Sequence, residues 1–131
     1  MIVVDVNVLA YLLIPGRYTE SAEQLLLADP QWAAPRLWRS ELRNVLATYV
    51  RSGALELADA VALFHRASLI LETEEYEVDT ADVLRLSRAS GCSAYDCEYV
   101  ALAEFLDLKL MTADAKLVKA FPHRASALSG S

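Results

Sequence analysis

The stretch Ile2-Val3-Val4-Asp5 decides the fold, because three consecutive apolar residues are followed at once by an acid. An unbroken apolar run predicts a strand that is buried on both faces of a parallel sheet. Asp5 then stands at the carboxyl end of that strand, where open α/β sheets bind ligands. Asp5 can equally cap the helix predicted at Val6–Leu13, and the sequence leaves both roles open. Asn7 would be a second polar group facing the same crevice.

Strands and helices alternate along the rest of the chain. Further strands are predicted at Trp32–Pro35, at 73–78, at 108–112 and, on an edge, at 124–128. Helices are predicted at Thr19–Ala28, 37–50, Leu57–Leu71, 79–91, 93–105 and 115–120. This order is typical of an α/β protein, a three-layer α/β/α sandwich around a mainly parallel sheet. We expect a single domain over residues 1–123, and an edge strand with a frayed tail over 124–131.

Two of the predicted helices carry specific expectations. The helix at 37–50 has an apolar stripe that includes Trp38 and Tyr49, and its arginines at 36, 39 and 43 are expected on a solvated face. The helix at Leu57–Leu71 is broadly apolar, so we expect it to pack on two sides. The glutamates between residues 72 and 77 are interpreted as charges that face solvent.

Composition limits the class of protein. The chain has 131 residues, of which 55% are hydrophobic and 23% charged, values typical of a packed domain. No apolar run approaches the about 18 residues of a membrane helix, and the first residues lack the basic region of a signal peptide. We therefore expect a cytoplasmic protein without a membrane partner. Cys92 and Cys97 are interpreted as small buried thiols rather than as a disulfide or zinc site.

The stretch Ser93-Ala94-Tyr95-Asp96-Cys97 opens the last long helix. Gly91 ends the preceding helix and Ser93 is a favourable N-cap, so Asp96 at the third helical position can be a capping carboxylate. Helical spacing, however, places Asp96 on the same face as Tyr99 and Val100. An acid on an inward-facing stripe is costly unless it is paired, neutral or bound to a metal.

Three other acids lie in similar positions, so that the candidate set is Asp5, Glu41, Asp96 and Asp114. Asp114 follows the strand predicted at 108–112, and Glu41 lies at the edge of an apolar stripe, where it can also be a rim residue. Four such carboxylates repel one another unless cations are present. Mg²⁺ and Mn²⁺ prefer hard oxygen ligands and can activate water for attack on a phosphodiester. Thr112 could orient a water or a carboxylate.

The net charge of −6 disfavours contacts with the negatively charged phosphates of a nucleic acid. Bound divalent cations would compensate for this charge. The chain contains no glycine-rich phosphate loop, no G-x-S-x-G elbow and no nucleophile arranged around His65 or His123.

These motifs come in the order seen in PIN-domain proteins. The resemblance is carried by Val4–Leu9, Glu41, Ser93–Asp96, Tyr99–Ala103 and Thr112–Asp114, and it covers essentially residues 1–123. The whole looks like a VapC-type toxin of a type II toxin–antitoxin pair.

The resemblance implies a Mg²⁺-dependent endoribonuclease, with Mn²⁺ as a substitute, whose acidic quartet is Asp5, Glu41, Asp96 and Asp114. Asn7 and Thr112 match supporting polar positions of the family. The resemblance further implies an RNA substrate, a homodimer and inhibition by a small VapB-type antitoxin.

Two alternatives stay open. A metal-dependent phosphatase of the haloacid-dehalogenase type also places an aspartate after its first strand, but it needs a second aspartate where this chain has Asn7. A PIN-like module that only binds RNA or protein is the other alternative, and four intact acids argue against it.

Overall fold

The computed structural model describes residues 1–128, and their central feature is a parallel β-sheet. Its strands are β1 (Ile2–Val4), β2 (Trp32–Pro35), β3 (Glu75–Tyr76), β4 (Leu110–Thr112) and β5 (Ala125–Ala127). The strand order is β3-β2-β1-β4-β5, and every pair is parallel. Val3 and Val4 of the central strand are fully buried, which confirms the reading of the opening stretch.

Helices cover the sheet. They are α1 (Val6–Leu13), α2 (Thr19–Ala28), α3 (Trp38–Arg51), α4 (Leu57–Leu71), α5 (Thr80–Ser90), α6 (Ala94–Leu106) and α7 (Ala115–Ala120). Helices α1 to α4 pack on one another, α5 packs on α6, and α6 lies against β1, β2 and β4. The predicted α/β/α architecture is therefore confirmed.

The strand order creates one switch point. From β1 the chain moves to β2 and β3 on one side, whereas β4 and β5 lie on the other. Connections leave β1 and β4 in opposite directions, so a crevice opens between the carboxyl ends of these two strands. Asp5 directly follows β1 and Asp114 follows β4 by two residues, which places both acids at this crevice.

The end of the chain joins the same sheet. β5 pairs with β4 in the register Leu110 to Ala125 and forms the sheet edge. The proposed domain division after residue 123 stays a prediction. The frayed tail expected at 129–131 lies outside the described residues. In the part that the structure describes, no helix is long and apolar enough to cross a membrane.

Helix α4 packs differently from the prediction. Its buried side chains are Ala60, Ala67 and Leu71, whereas Leu57 and Leu69 are 69% and 71% exposed. The expectation that α4 packs on two sides is therefore wrong within residues 1–128, because the outer apolar face has no neighbouring element there.

Two charges interpreted as solvated are also paired. Arg39 donates two hydrogen bonds to the Glu75 carboxylate, at 2.5 and 2.8 Å, and its guanidinium lies 5.2 Å from the Trp38 ring centroid. This pair fastens α3 to the edge strand β3. The error arose because β3 is too short for an alternating pattern to indicate which way Glu75 points. Cys92 and Cys97 are free and buried, as predicted.

Candidate active site

Asp5 fills both of the roles that the sequence left open. It is 6% exposed, and its Oδ1 accepts a hydrogen bond from the Val8 N–H at 3.1 Å, which caps α1. Its Oδ2 accepts a hydrogen bond from the Thr112 hydroxyl. The carboxylate is thus held rigidly at the switch point by one backbone group and one side chain.

Thr112 connects Asp5 to Asp114. Its side chain is fully buried, and its Oγ1 accepts the Asp114 N–H at 3.0 Å. Asp114 in turn caps α7 by accepting the Lys116 N–H at 2.8 Å. One hydroxyl therefore fixes the relative positions of the acids that follow β1 and β4.

Glu41 is held from the opposite side of the crevice. Tyr99 of α6, which is almost fully buried, donates its phenol hydrogen to Glu41 Oε1 at 2.6 Å. This bond joins α3 to α6 across 58 residues of sequence. Glu41 is only partly buried, but it is oriented by a specific donor, unlike a freely solvated rim residue.

The capping role near Asp96 is performed by Ser93. The Ser93 Oγ accepts the Asp96 N–H at 3.1 Å, and no bond from the Ser93 N–H to the Asp96 carboxylate completes a capping box in residues 1–128. The carboxylate of Asp96 is half-buried, and the positions of Asp114 and Lys116 both affect its ionisation.

Burial disfavours ionisation of three of these acids, and repulsion by neighbouring carboxylates adds to this effect at Glu41 and Asp96. Burial is the main factor that raises the pKa of Asp5, which the Thr112 hydroxyl partly offsets. Burial, Asp96 and Asp5 raise the pKa of Glu41, whereas its bond from Tyr99 lowers it. Burial and Asp114 raise the pKa of Asp96. No salt bridge involves any of the four acids within the described residues.

The donor chemistry fits a hard divalent cation. In residues 1–128, no group of three or more His, Cys, Asp or Glu side chains is arranged closely enough to hold an ion as it stands. The acids instead repel one another in pairs. Asp5 and Asp96 raise the pKa of Glu41, and Asp114 raises the pKa of Asp96. Mg²⁺ characteristically binds through one or two carboxylates and keeps several waters, so a splayed set of carboxylates is compatible with it.

Asn7 is not brought into contact with this set. Its side chain is exposed and makes no hydrogen bond with any described residue. It lines a neighbouring cleft together with Tyr11 and Tyr49. Its role as a supporting residue of the acidic site stays a prediction.

The raised pKa values predict an unusual pH dependence of stability. A carboxyl group whose pKa is higher in the folded protein binds its proton more tightly there, so its favourable contribution is complete at low pH and is lost as the pH rises through the raised value. Without metal, the variant Asp96→Asn should therefore gain stability relative to wild type as the pH rises above about 4, the ordinary pKa of an aspartate. Urea unfolding in EDTA measures this difference. A stability difference between the two proteins that stays constant or decreases as the pH rises would contradict the raised pKa of Asp96.

Tyr99 is the residue of this site that sequence reasoning missed. Its helical spacing placed it on the face of Asp96, but only as part of an apolar stripe. The available signal was its hydroxyl, because a fully buried phenol normally requires a hydrogen-bond partner. The partner, Glu41, could not be identified from spacing.

Comparison with known proteins finds relatives that match nearly the whole chain. Residues 2–121 match the PIN domain family model. The chain is also 31% identical over 127 residues to Ribonuclease VapC3 of Pyrobaculum aerophilum, covering 92% of this chain and 95% of that protein.

Solved structures share the fold. The crystal structure of PAE2754 from Pyrobaculum aerophilum has a TM-score of 0.77 at 23% identity, over 96% of this chain and 89% of that one. A toxin–antitoxin complex from Klebsiella pneumoniae has a TM-score of 0.68 at 20% identity, over 100% and 98%. FitAcB from Neisseria gonorrhoeae has a TM-score of 0.75 at 18% identity, over 99% and 98%. With a family model matched along almost its whole length, this chain belongs to the PIN domain family.

Proposed function

We propose that this protein is a metal-dependent endoribonuclease and the toxin of a VapBC-type toxin–antitoxin module. The observation that carries the proposal is the arrangement of Asp5, Asp114, Glu41 and Asp96 near one switch-point crevice, where none of them forms a salt bridge within residues 1–128. Its support is the similarity to a ribonuclease over nearly the whole chain and the fold shared with a toxin–antitoxin complex.

Asp5, Glu41, Asp96 and Asp114 would hold the cation, with Mg²⁺ as the proposed ion and Mn²⁺ as a substitute. When bound, such an ion lowers the pKa of a water and offsets charge that develops on a phosphate. The negative charge of the crevice is then compensated, and a phosphodiester can approach.

The chain's own residues supply orientation. Thr112 holds Asp5 and the backbone of Asp114, and Tyr99 holds Glu41, so two opposite walls of the crevice are fixed before substrate arrives. Such preorganisation contributes to catalysis because the carboxylates need not reorient during reaction. Asn7 lines the neighbouring cleft, and its exposed side chain is free to contact RNA.

Incubation of purified protein with total RNA in Mg²⁺, followed by mapping of the new RNA ends, tests the activity. A parallel assay of phosphate release from a small ester separates this function from a phosphatase. Discrete RNA cleavage without phosphate release supports the proposal, phosphate release alone supports the phosphatase, and neither activity supports a binding module.

The antitoxin is proposed to contact two places. A groove of about 530 Å³ lies between α3 and α4, with a floor that includes Leu46, Val50 and Phe64. Glu41 and Val50 are nine residues apart on α3, about 14 Å at the helical rise of about 1.5 Å per residue. An apolar antitoxin segment in the groove could therefore extend a basic side chain to the carboxylates within a few residues.

Trp38 and Tyr49, the aromatic residues of the apolar stripe on α3, do not provide the anchors of this interface. Trp38 is fully buried and stacks on Phe64 with ring centroids 5.2 Å apart, so it cannot bind a partner directly. Tyr49 faces the cleft shared with Tyr11 rather than the groove. The exposed apolar side chains at the groove are Leu57 and Val61.

Introducing a charge at Val61 tests the groove. Val61 is 49% exposed, so Val61→Glu should fold, but it should weaken antitoxin binding by about 100-fold because the docked apolar segment would strip water from the carboxylate. Calorimetric titration with the antitoxin measures the affinity, and RNA cleavage by the free variant should be unchanged. Phe105→Glu on α6 is the matched control. Equal affinity for both variants would exclude the groove.

A homodimer, as the resemblance implies, is also part of the proposal, and sedimentation of the free protein tests it.

A further inference from the structure

A small aromatic cleft lies beside the acidic crevice and is not used by the proposed metal chemistry. It has a volume of about 220 Å³ and lies between α1, the α1–α2 connection and α3. Its polar and aromatic lining includes Asn7, Tyr11, Arg17, Tyr18 and Tyr49. This volume is below the roughly 300–1,000 Å³ of clefts that take drug-sized ligands, and it suits one planar group.

Two helices, α1 and α3, contribute residues both to the cleft and to the neighbouring acidic site. Asp5 caps α1, and Asn7 on the first turn of that helix lines the cleft. Val45, also on the lining, is one turn beyond Glu41 on α3. Burial, Tyr18 and Asp5 raise the pKa of Tyr11, which places its phenol within electrostatic reach of the buried acid. A group bound in the cleft would therefore lie next to a phosphodiester bound at the crevice.

The surfaces in the cleft suit a flat aromatic ligand. Tyr11 and Tyr18 contact each other with centroids 4.8 Å apart and planes tilted by 49°. The Arg17 guanidinium lies 5.3 Å from the Tyr18 ring centroid. Tyr49 is 38% exposed and contributes a ring from α3. Aromatic rings and arginine planes are the surfaces on which unstacked RNA bases bind.

The polar groups of the cleft are available for recognition. Within residues 1–128, the hydroxyls of Tyr11, Tyr18 and Tyr49 and the amide of Asn7 have no hydrogen-bond partner. A cluster whose role was only to close the α1–α2 connection would be served by phenylalanine, or would pair its hydroxyls. The connection already has its own bonds, since Thr19 donates to the Ile14 carbonyl and accepts from the Gly16 N–H.

We propose that this cleft is a nucleobase subsite, which takes one unstacked base of single-stranded RNA next to the scissile phosphate. The inference rests on the proposed ribonuclease function. The rings of Tyr18 and Tyr49 and the guanidinium of Arg17 stack on the base, and the tyrosine hydroxyls and the Asn7 amide contact its edge. The cleft thereby contributes to the choice of the bond that is cut.

The test compares RNA with and without bases in an inactive background. In Asp96→Asn protein, fluorescence anisotropy measures binding of a labelled oligoadenylate octamer and of an abasic octamer with the same backbone charge. Stacking of a single base predicts a preference of about tenfold or more for oligoadenylate. Tyr18→Ala, Tyr49→Ala and Arg17→Ala should each remove most of this preference, measured as the ratio of the two affinities. Phe105→Ala, an exposed aromatic residue on α6, should keep it.

Equal binding of the two octamers, or an undiminished preference in all three cleft variants, would overturn the subsite. Loss of antitoxin affinity in the cleft variants with octamer binding intact would also overturn it and would assign the cleft to the protein partner. A wild-type protein that prefers oligoadenylate but cuts no RNA would refute the ribonuclease proposal and keep the subsite. RNA cleavage by a wild-type protein that shows no preference for oligoadenylate would support the ribonuclease proposal and refute the subsite.

Discussion

Replacing Asp96 by Asn should reduce RNA cleavage by about a thousandfold while leaving the fold intact. Asparagine keeps the shape of the side chain, and the helix cap is unaffected because Ser93 accepts the Asp96 N–H. The variant removes a proposed ligand of a cation whose stabilisation of transition-state charge would be worth several kcal/mol, and each ~1.4 kcal/mol is a factor of ten in rate. Initial rates on an RNA with one mapped cleavage site measure the effect.

The matched control is Glu104→Gln, which makes the same change of charge on an exposed residue of the same helix. It should cleave at the wild-type rate. The melting temperature of Asp96→Asn without metal should equal or exceed that of wild type, because burial and Asp114 disfavour the charged form of Asp96. Cleavage by Asp96→Asn at the wild-type rate would show that this residue is not a ligand.

Addition of Mn²⁺ should raise the melting temperature by about 10 °C relative to EDTA. An ion that binds only the folded state stabilises it by about 2.7 kcal/mol at a hundredfold excess over its Kd. For a domain of this size, each kcal/mol corresponds to roughly 3–5 °C. The effect arises because the cation relieves repulsion among carboxylates whose ionisation the fold disfavours.

Two comparisons make the melting experiment specific. NaCl at matched ionic strength should give a much smaller increase, because screening acts weakly on buried charges. Asp96→Asn should show a smaller rise with Mn²⁺ than wild type. Coincident melting curves in Mn²⁺ and EDTA would count against a shared metal site.

Local sequence signals predicted most of the fold. Helices α1, α2 and α4 have the predicted bounds, and the ends of α1 are marked by the Asp5 cap and by Pro15 and Gly16. The position of Asp5 at the carboxyl end of a buried strand followed from the apolar run that precedes it. The sheet order required the structure, since strands of two to four residues carry no pairing information.

The candidate site could be predicted only in part, because its contacts join distant residues. Thr112 was expected to orient a carboxylate, and the structure identifies that carboxylate as Asp5, 107 residues away. The bond from Tyr99 to Glu41 and the tyrosine cleft were not foreseen, since helical spacing indicates a shared face but no partner. The exposure of Leu57 and Leu69 was missed for a related reason: hydrophobicity does not reveal whether a face is covered by the same chain.

Diffraction from crystals soaked in MnCl₂ tests the central claim most directly, because the anomalous signal locates the ion itself. The account predicts a peak in the crevice between β1 and β4, in contact with at least one of Asp5, Glu41, Asp96 and Asp114 directly or through water. The same crystals of Asp96→Asn protein should show a weaker peak. A crevice without a peak at saturating Mn²⁺, or ions bound only elsewhere on the surface, would contradict the account.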